Sequence, residues 1–96
     1  MLVHRVTWNV KPGKQEEAEE LLRKAGEMYP SPHVVRVYVP ETGPFNTLVY
    51  EVEFENLADY QAHWQKWYAL PGRAEFMEKW NELVTGGGDQ LWNLVE

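Results

Sequence analysis

The 96-residue sequence contains no cysteine. Disulfides, thiolate zinc sites, iron–sulfur clusters and cysteine nucleophiles are therefore excluded. It contains a single serine, Ser31, held between Pro30 and Pro32, so no Ser–His–Asp constellation is legible. No window approaches the roughly 18 apolar residues of a membrane helix. The opening Met1-Leu2-Val3-His4-Arg5 lacks the cationic stretch and long apolar run of a targeting segment. A cytoplasmic location without a membrane partner is the expectation. Basic residues are scarce: 9 against 15 acidic, for a net charge of −6. With no local basic patch, that balance repels a phosphate backbone, and no nucleic acid is expected as a partner. Seven glycines and six prolines are too few for a low-complexity chain.

Hydrophobic residues at 44% and charged residues at 25% suit a folded protein, and the length suits one domain over residues 1–96. Aromatic residues reach 14%, with five tryptophans, a surplus that marks them as candidates for function.

Leu2 to Val10 alternates as a strand, with Leu2, His4, Val6, Trp8 and Val10 on one face. Lys11-Pro12-Gly13 breaks it. A helix is expected over 14–28, where Ala18, Leu21, Leu22, Ala25 and Met28 form an apolar stripe. Its glutamates precede Arg23 and Lys24, as the helix dipole favours, and the spacing predicts Glu19–Arg23 and Glu20–Lys24 pairs. The glutamate run reads as a solvated face rather than a cation site. His33 to Val39 reads as a second strand, Pro40 to Pro44 as a turn-rich loop, and Thr47 to Glu55 as a third strand. Leu48, Tyr50, Val52 and Phe54 line one face of that third strand, and Glu51, Glu53 and Glu55 the other. Asn56 is a suitable N-cap, supported by Asp59, for a helix over 57–68. Leu70-Pro71-Gly72 interrupts the pattern before a further helix over 73–84. Gly86-Gly87-Gly88 is expected to end that helix, leaving a short last strand over 90–95.

The order strand, helix, strand, strand, helix pair, strand is that of an α+β, ferredoxin-like βαββαβ sandwich. Right-handed crossovers put both helical segments on one face of a four-stranded antiparallel sheet. The even face of strand one and the Tyr50 face of strand three should meet the helices. Strand two is ambiguous; placing Val35, Val37 and Val39 toward the helices puts Arg36 beside Arg5 and the glutamates. Ion pairing of Arg5 and Arg36 with Glu51 and Glu53 is then expected, in preference to a metal site. The reverse face would expose Val3, Val34, Tyr38 and Val49, and a short chain buries little surface alone. Both arguments favour a homodimer, sheet packed on sheet.

Val10-Lys11-Pro12-Gly13-Lys14 entering a Glu-rich helix resembles the opening of dimeric α/β-barrel proteins. Phe54-Glu55-Asn56-Leu57-Ala58-Asp59-Tyr60 leading to Trp64, and a second helix broken at Pro71, resemble the same superfamily. The nearest groups are the antibiotic biosynthesis monooxygenase-like and NIPSNAP-like families, over nearly the whole chain. The resemblance implies a dimeric barrel and a pocket between helices and sheet in each subunit. It further implies, for an enzyme, a cofactor-independent monooxygenase acting on an activated aromatic or quinol-like substrate. Trp64 falls where haem-degrading members place a tryptophan. Their asparagine falls near Val6, and their histidine near Met77 to Trp80, where no histidine stands. A small aromatic or haem-like ligand is the resulting expectation.

The residues supply candidates. Tyr60, Trp64, Trp67 and Tyr68 share much of one helix face, and Phe76 and Trp80 extend it, with Trp8 and Tyr50 facing them from the sheet. They read either as core and dimer packing or as a pocket with stacking surfaces and polar handles. The histidines show neither HxH nor HxxxH spacing, so no metal site is expected. His63 and His4 bracket the aromatic cluster and are the candidate general bases. Arg73, just past Pro71-Gly72, is the candidate for an anionic ligand group. The triple glycine lacks the Lys-Ser/Thr of a phosphate loop. Two functions stay open: a small-ligand site with no bound cofactor, of monooxygenase type, and a non-catalytic binding or assembly module with a structural aromatic core.

Overall fold

The computed structural model describes residues 1–95. The alternating first segment forms strand β1 (Leu2–Val10), and the amphipathic segment after Pro12-Gly13 forms helix α1 (Gln15–Met28). Strand β2 (Val35–Tyr38) is shorter than the β-branched run predicts, whereas β3 (Thr47–Phe54) fills its pattern. Helices α2 (Leu57–Ala69) and α3 (Arg73–Leu83) follow, then strand β4 (Val84–Asn93). The Asn56 side chain accepts a hydrogen bond from the Asp59 N–H, the N-cap expected from sequence. Gly72 separates the two helices at φ 87°, and a Cβ there would stand 2.9 Å from the Tyr29 hydroxyl, so both conformation and space call for glycine.

The sheet order is β2-β3-β1-β4 with every neighbour antiparallel. This is the ferredoxin-like α+β sheet. Register sets the two faces. Val6 lies opposite Tyr50 and Arg5 opposite Glu51, while Val37 and Arg36 on β2 lie opposite Tyr50 and Glu51. The valine face of β2 therefore shares the helix side with His4, Val6, Tyr50 and Val52. Arg5 binds Glu51 through Nε and Nη2, at 2.7 and 2.6 Å, on the reverse side. Arg36 binds Glu53 at 2.8 Å, and the Tyr38 hydroxyl donates to Glu51 at 3.0 Å.

Two expectations are corrected. The glycine run does not end α3. The helix stops at Leu83, Val84 is already extended, and the glycines lie inside β4. Gly87 lets β4 press against β1. A Cβ on Gly87 would stand 2.2 Å from the Thr7 carbonyl oxygen and 3.1 Å from the Trp8 ring. A register shift between Asn9 and Val10 takes up the local irregularity. On α1, Arg23 binds Glu20 and Glu27 rather than Glu19, and Lys24 does not come within ion-pair distance of Glu20. A single guanidinium reaches carboxylates on both adjacent turns.

The closed core sits at one end of the sheet. Val10, Ala18, Leu48, Trp80, Leu83 and Val84 cluster there, with Trp8, Leu21, Leu22, Phe76 and Met77 packed around them. The far end of the α1 stripe does not join it: Met28 is exposed and Ala25 borders open space, with Leu22 at the boundary between core and space. That space separates the helices from the β2 side of the sheet.

Candidate functional site

The space is a cavity of about 1520 Å³ between sheet and helices. It exceeds the ~300–1,000 Å³ usual for an enclosed ligand pocket because its β2 wall is open. Val35, Val37 and Val39 line it yet are each about half exposed. Val6, Trp8, Tyr50 and Val52 form its sheet wall, and Trp64 and Tyr68 stand on its helix wall. The aromatic helix face predicted from sequence thus borders a cavity rather than a filled core.

His4, Tyr60 and Trp64 meet at its deep end. The His4 ring makes edge contacts with Tyr60 and Trp64, at centroid distances of 5.2 and 5.3 Å. His4 is 3% exposed. Its Nε2 lies 2.8 Å from the carboxylate of Asp89 on β4, while its Nδ1 is buried without a partner. A carboxylate only accepts, so Nε2 carries the proton and Nδ1 of the neutral ring offers a lone pair. The Trp64 indole N–H is likewise buried and unpartnered. An acceptor and a donor are thus left over on neighbouring rings in apolar surroundings, where unmet polar groups are costly.

His63 stands one side away, 5.1 Å from Trp64 between ring centroids, and packs on Phe54 and His33. Burial first, then His33, His4 and Lys66, hold its imidazole below the usual value. Among the described residues no carboxylate lies within ion-pair distance of it. Tyr50 is in register with Val6 and, across β1, with Asp89. Burial, then the charges of Asp89 and Tyr68, push its hydroxyl up to about 12. Tyr50 is thus a neutral hydroxyl at neutral pH. Trp67 is clasped between Tyr29 and Phe76. At the outer end, the Arg73 guanidinium lies 4.6 Å from the Tyr68 ring centroid, and its Nε is buried without a partner. Trp80 lines the cavity from the core side. It is 2% exposed, stacks on Phe76 and meets Trp8 edge-on, so it is chiefly a core residue with one edge toward the cavity.

Asp89 and His33 were not singled out from sequence. Reading Gly86 to Gly88 as a loop hid Asp89. Regular pairing of β4 with β1 from Val84 onward places Asp89 beside Arg5 on the reverse face; only the register shift between Asn9 and Val10 brings it beside Val6, on the face of His4. His33 was read only as the start of a strand, and its approach to His63 is a tertiary contact. Among the described residues no group of three or more His, Asp or Glu is arranged to hold a metal ion. No helix among them is long and apolar enough to cross a membrane.

A family model described as NIPSNAP matches residues 4–91. No curated protein matches the chain. Among solved structures, an uncharacterised NIPSNAP domain protein from Burkholderia xenovorans superposes with a TM-score of 0.85 at 17% identity, covering 99% of this chain and 95% of that one. A putative antibiotic biosynthesis monooxygenase from Deinococcus radiodurans gives a TM-score of 0.74 at 17% identity, covering 100% and 94%. SnoaB, a cofactor-independent oxygenase from Streptomyces nogalater, solved as a mutant, gives 0.71 at 14% identity, covering 99% and 93%. At such identities the likeness shows the fold alone.

Proposed function

The chain belongs to the NIPSNAP family, and on that premise we propose that it binds a flat aromatic small molecule between helices and sheet and transfers a proton from it to His4. The observation that carries this reading is an open, aromatic-walled cavity lined by His4, a buried histidine whose Nδ1 has no hydrogen-bond partner. The apolar walls supply contact area, and the two unmet polar atoms orient the ligand. His4 is the better base of the two histidines. Its tautomer is held by Asp89, whereas His63 has no such partner and is weakened by burial. Tyr50 acts as a hydrogen-bond donor rather than a base.

Removing a proton from a quinol or phenol makes its ring electron-rich enough to react with dioxygen. In a cofactor-independent monooxygenation the substrate supplies both electrons, one oxygen atom enters it, and the other leaves as water. The fold shared with SnoaB, a cofactor-independent oxygenase, supports this direction. The reverse sheet face supports a second copy as partner, forming a dimeric barrel. It carries no helix and exposes Val34, Tyr38, Trp92 and Leu94 around the Arg5–Glu51 pair.

The test is a titration of the full chain with naphthol and with haem, followed by tryptophan fluorescence. Saturable quenching by naphthol is expected, lost in Trp64→Ala and retained in Lys79→Ala on the exposed face of α3. Equal quenching of all three proteins would reject the cavity. Oxygen uptake on adding a quinol, abolished in His4→Gln, separates an oxygenase from a binding module.

A further inference from the structure

The chain has four arginines, and three of them are neutralised. Arg5 binds Glu51, Arg23 binds Glu20 and Glu27, and Arg36 binds Glu53. Arg73 has no carboxylate within ion-pair distance among the described residues, and its Nε is buried without a partner. Arg73 differs from Lys11, Lys24, Lys66 and Lys79, which also lack an ion pair among the described residues, in that none of those lysines lines the cavity. Its position is also specific. It lines the cavity, and its guanidinium rests against the Tyr68 ring. Stacking of that kind fixes the plane of the fork, leaving N–H donors aimed along it. A planar fork with free donors suits a bidentate oxyanion, of which a carboxylate is the planar one.

The two unmet polar centres lie at opposite ends of one aromatic wall. His4 touches Trp64, Trp64 lies 6.4 Å from Tyr68 between centroids, and Tyr68 carries Arg73. Trp64 and Tyr68 are four residues apart, about 6 Å along α2. The two rings are tilted 46° to one another, so a ligand of two fused rings lies flat on one and against the edge of the other, between His4 and Arg73.

We propose that the ligand is a hydroxylated aromatic acid: its carboxylate on Arg73, its rings on Trp64 and Tyr68, and its hydroxyl on His4 Nδ1, with Asp89 as the residue that positions the imidazole. The proposal rests on the ligand-binding reading above and narrows it to a substrate class. In the proton transfer the ligand O–H bond breaks and an Nδ1–H bond forms. The electron pair stays on the ligand oxygen, which accepts the Trp64 indole N–H. The imidazolium is balanced by the Asp89 carboxylate on Nε2.

Three probes test it against the full chain: naphthol, naphthoate, and a hydroxynaphthoate with its two groups at opposite ends. Tryptophan fluorescence reads affinity, and ligand absorption reads protonation. Hydroxynaphthoate is expected to bind roughly tenfold to a hundredfold more tightly than naphthol. Arg73→Gln should erase that advantage, with an unchanged circular dichroism spectrum and thermal midpoint showing that the variant is folded. Bound hydroxynaphthoate should display the red-shifted naphtholate band at a pH where the free ligand is protonated. Asp89→Asn should diminish the band and leave naphthoate affinity intact; its side chain is 62% exposed, so folding is little affected. Equal affinity for naphthol and hydroxynaphthoate, equal weakening of both by Arg73→Gln, or no naphtholate band overturns the proposal. If naphthol binds and the carboxylate adds nothing, this proposal alone fails. If naphthol itself does not bind, the cavity reading fails first.

Discussion

Single residues decide the chemistry, and the histidines show how. All three line one cavity, but their surroundings differ. His4 is tied to a carboxylate, whereas His63 is half-buried among rings and other histidines. The folded His63 imidazole is held below 6.5 by burial and by His33 and His4. The unfolded chain therefore takes up this proton at higher pH than the folded chain does. Stability should fall as the pH drops below about 6.5, and stop falling once the folded ring is itself protonated. Urea midpoints at about pH 7.5 and about pH 5.5 measure the loss. His63→Gln should lose less between the two than the parent chain. Equal losses would show that His63 is not the group responsible.

At the scale of elements, β4 carries the largest departure from the sequence pattern. Three consecutive glycines are a poor strand by propensity, and they read as a helix stop. They occupy a strand because β1 approaches so closely that Gly87 has no room for a side chain. Gly87→Ala should therefore cost about 1–3 kcal/mol, the scale of overpacking against fixed backbone. Thermal unfolding measures it. The added methyl also pushes on Trp8, so naphthol affinity should drop in the same variant. Gly88→Ala, with open space around its Cβ, is the control and should change both quantities little. A Gly87→Ala variant as stable as the parent would contradict the close approach. The other elements follow local rules. Asn56 caps α2, alternation sets β1 and β3, and the amphipathic stripe sets α1.

At the scale of the whole molecule, the sheet has two different faces. One borders the core and the cavity. The other exposes Trp92, Leu94, Tyr38 and Val34 beside the ion pairs of Arg5 and Arg36. If that face meets a second copy, Trp92→Glu should place a charge in the interface and shift the chain to monomer. Sedimentation at micromolar concentration reads this, with naphthol affinity per chain retained. A parent chain that sediments as a monomer would remove the dimer. The Glu51 carboxyl is held below its usual range by Arg5, with Tyr38 also bonded to it. Its stabilising contribution is present above the ordinary carboxylate range and is lost as the pH falls through its lowered folded value.

Strand alternation by itself determined which residues of β1 and β3 share a face, because side chains on a strand alternate whatever the chain folds into. The apolar periodicity and turn residues likewise determined the helix positions and the Asn56 cap, and alternation put Arg5 on the glutamate face, whereas the face of β2 that carries Arg36 was decided only by its register with Glu51. The aromatic helix face was legible as a face, but not as the wall of a cavity. Whether rings fill space or enclose it depends on how far α1, α2 and α3 stand from β2, and no local pattern encodes that distance. Tertiary structure alone brought Asp89 to His4 across 85 residues of chain, set His33 against His63, and left Arg73 without a carboxylate. These are relations between segments remote in sequence, and only the packed sheet and helices make them neighbours.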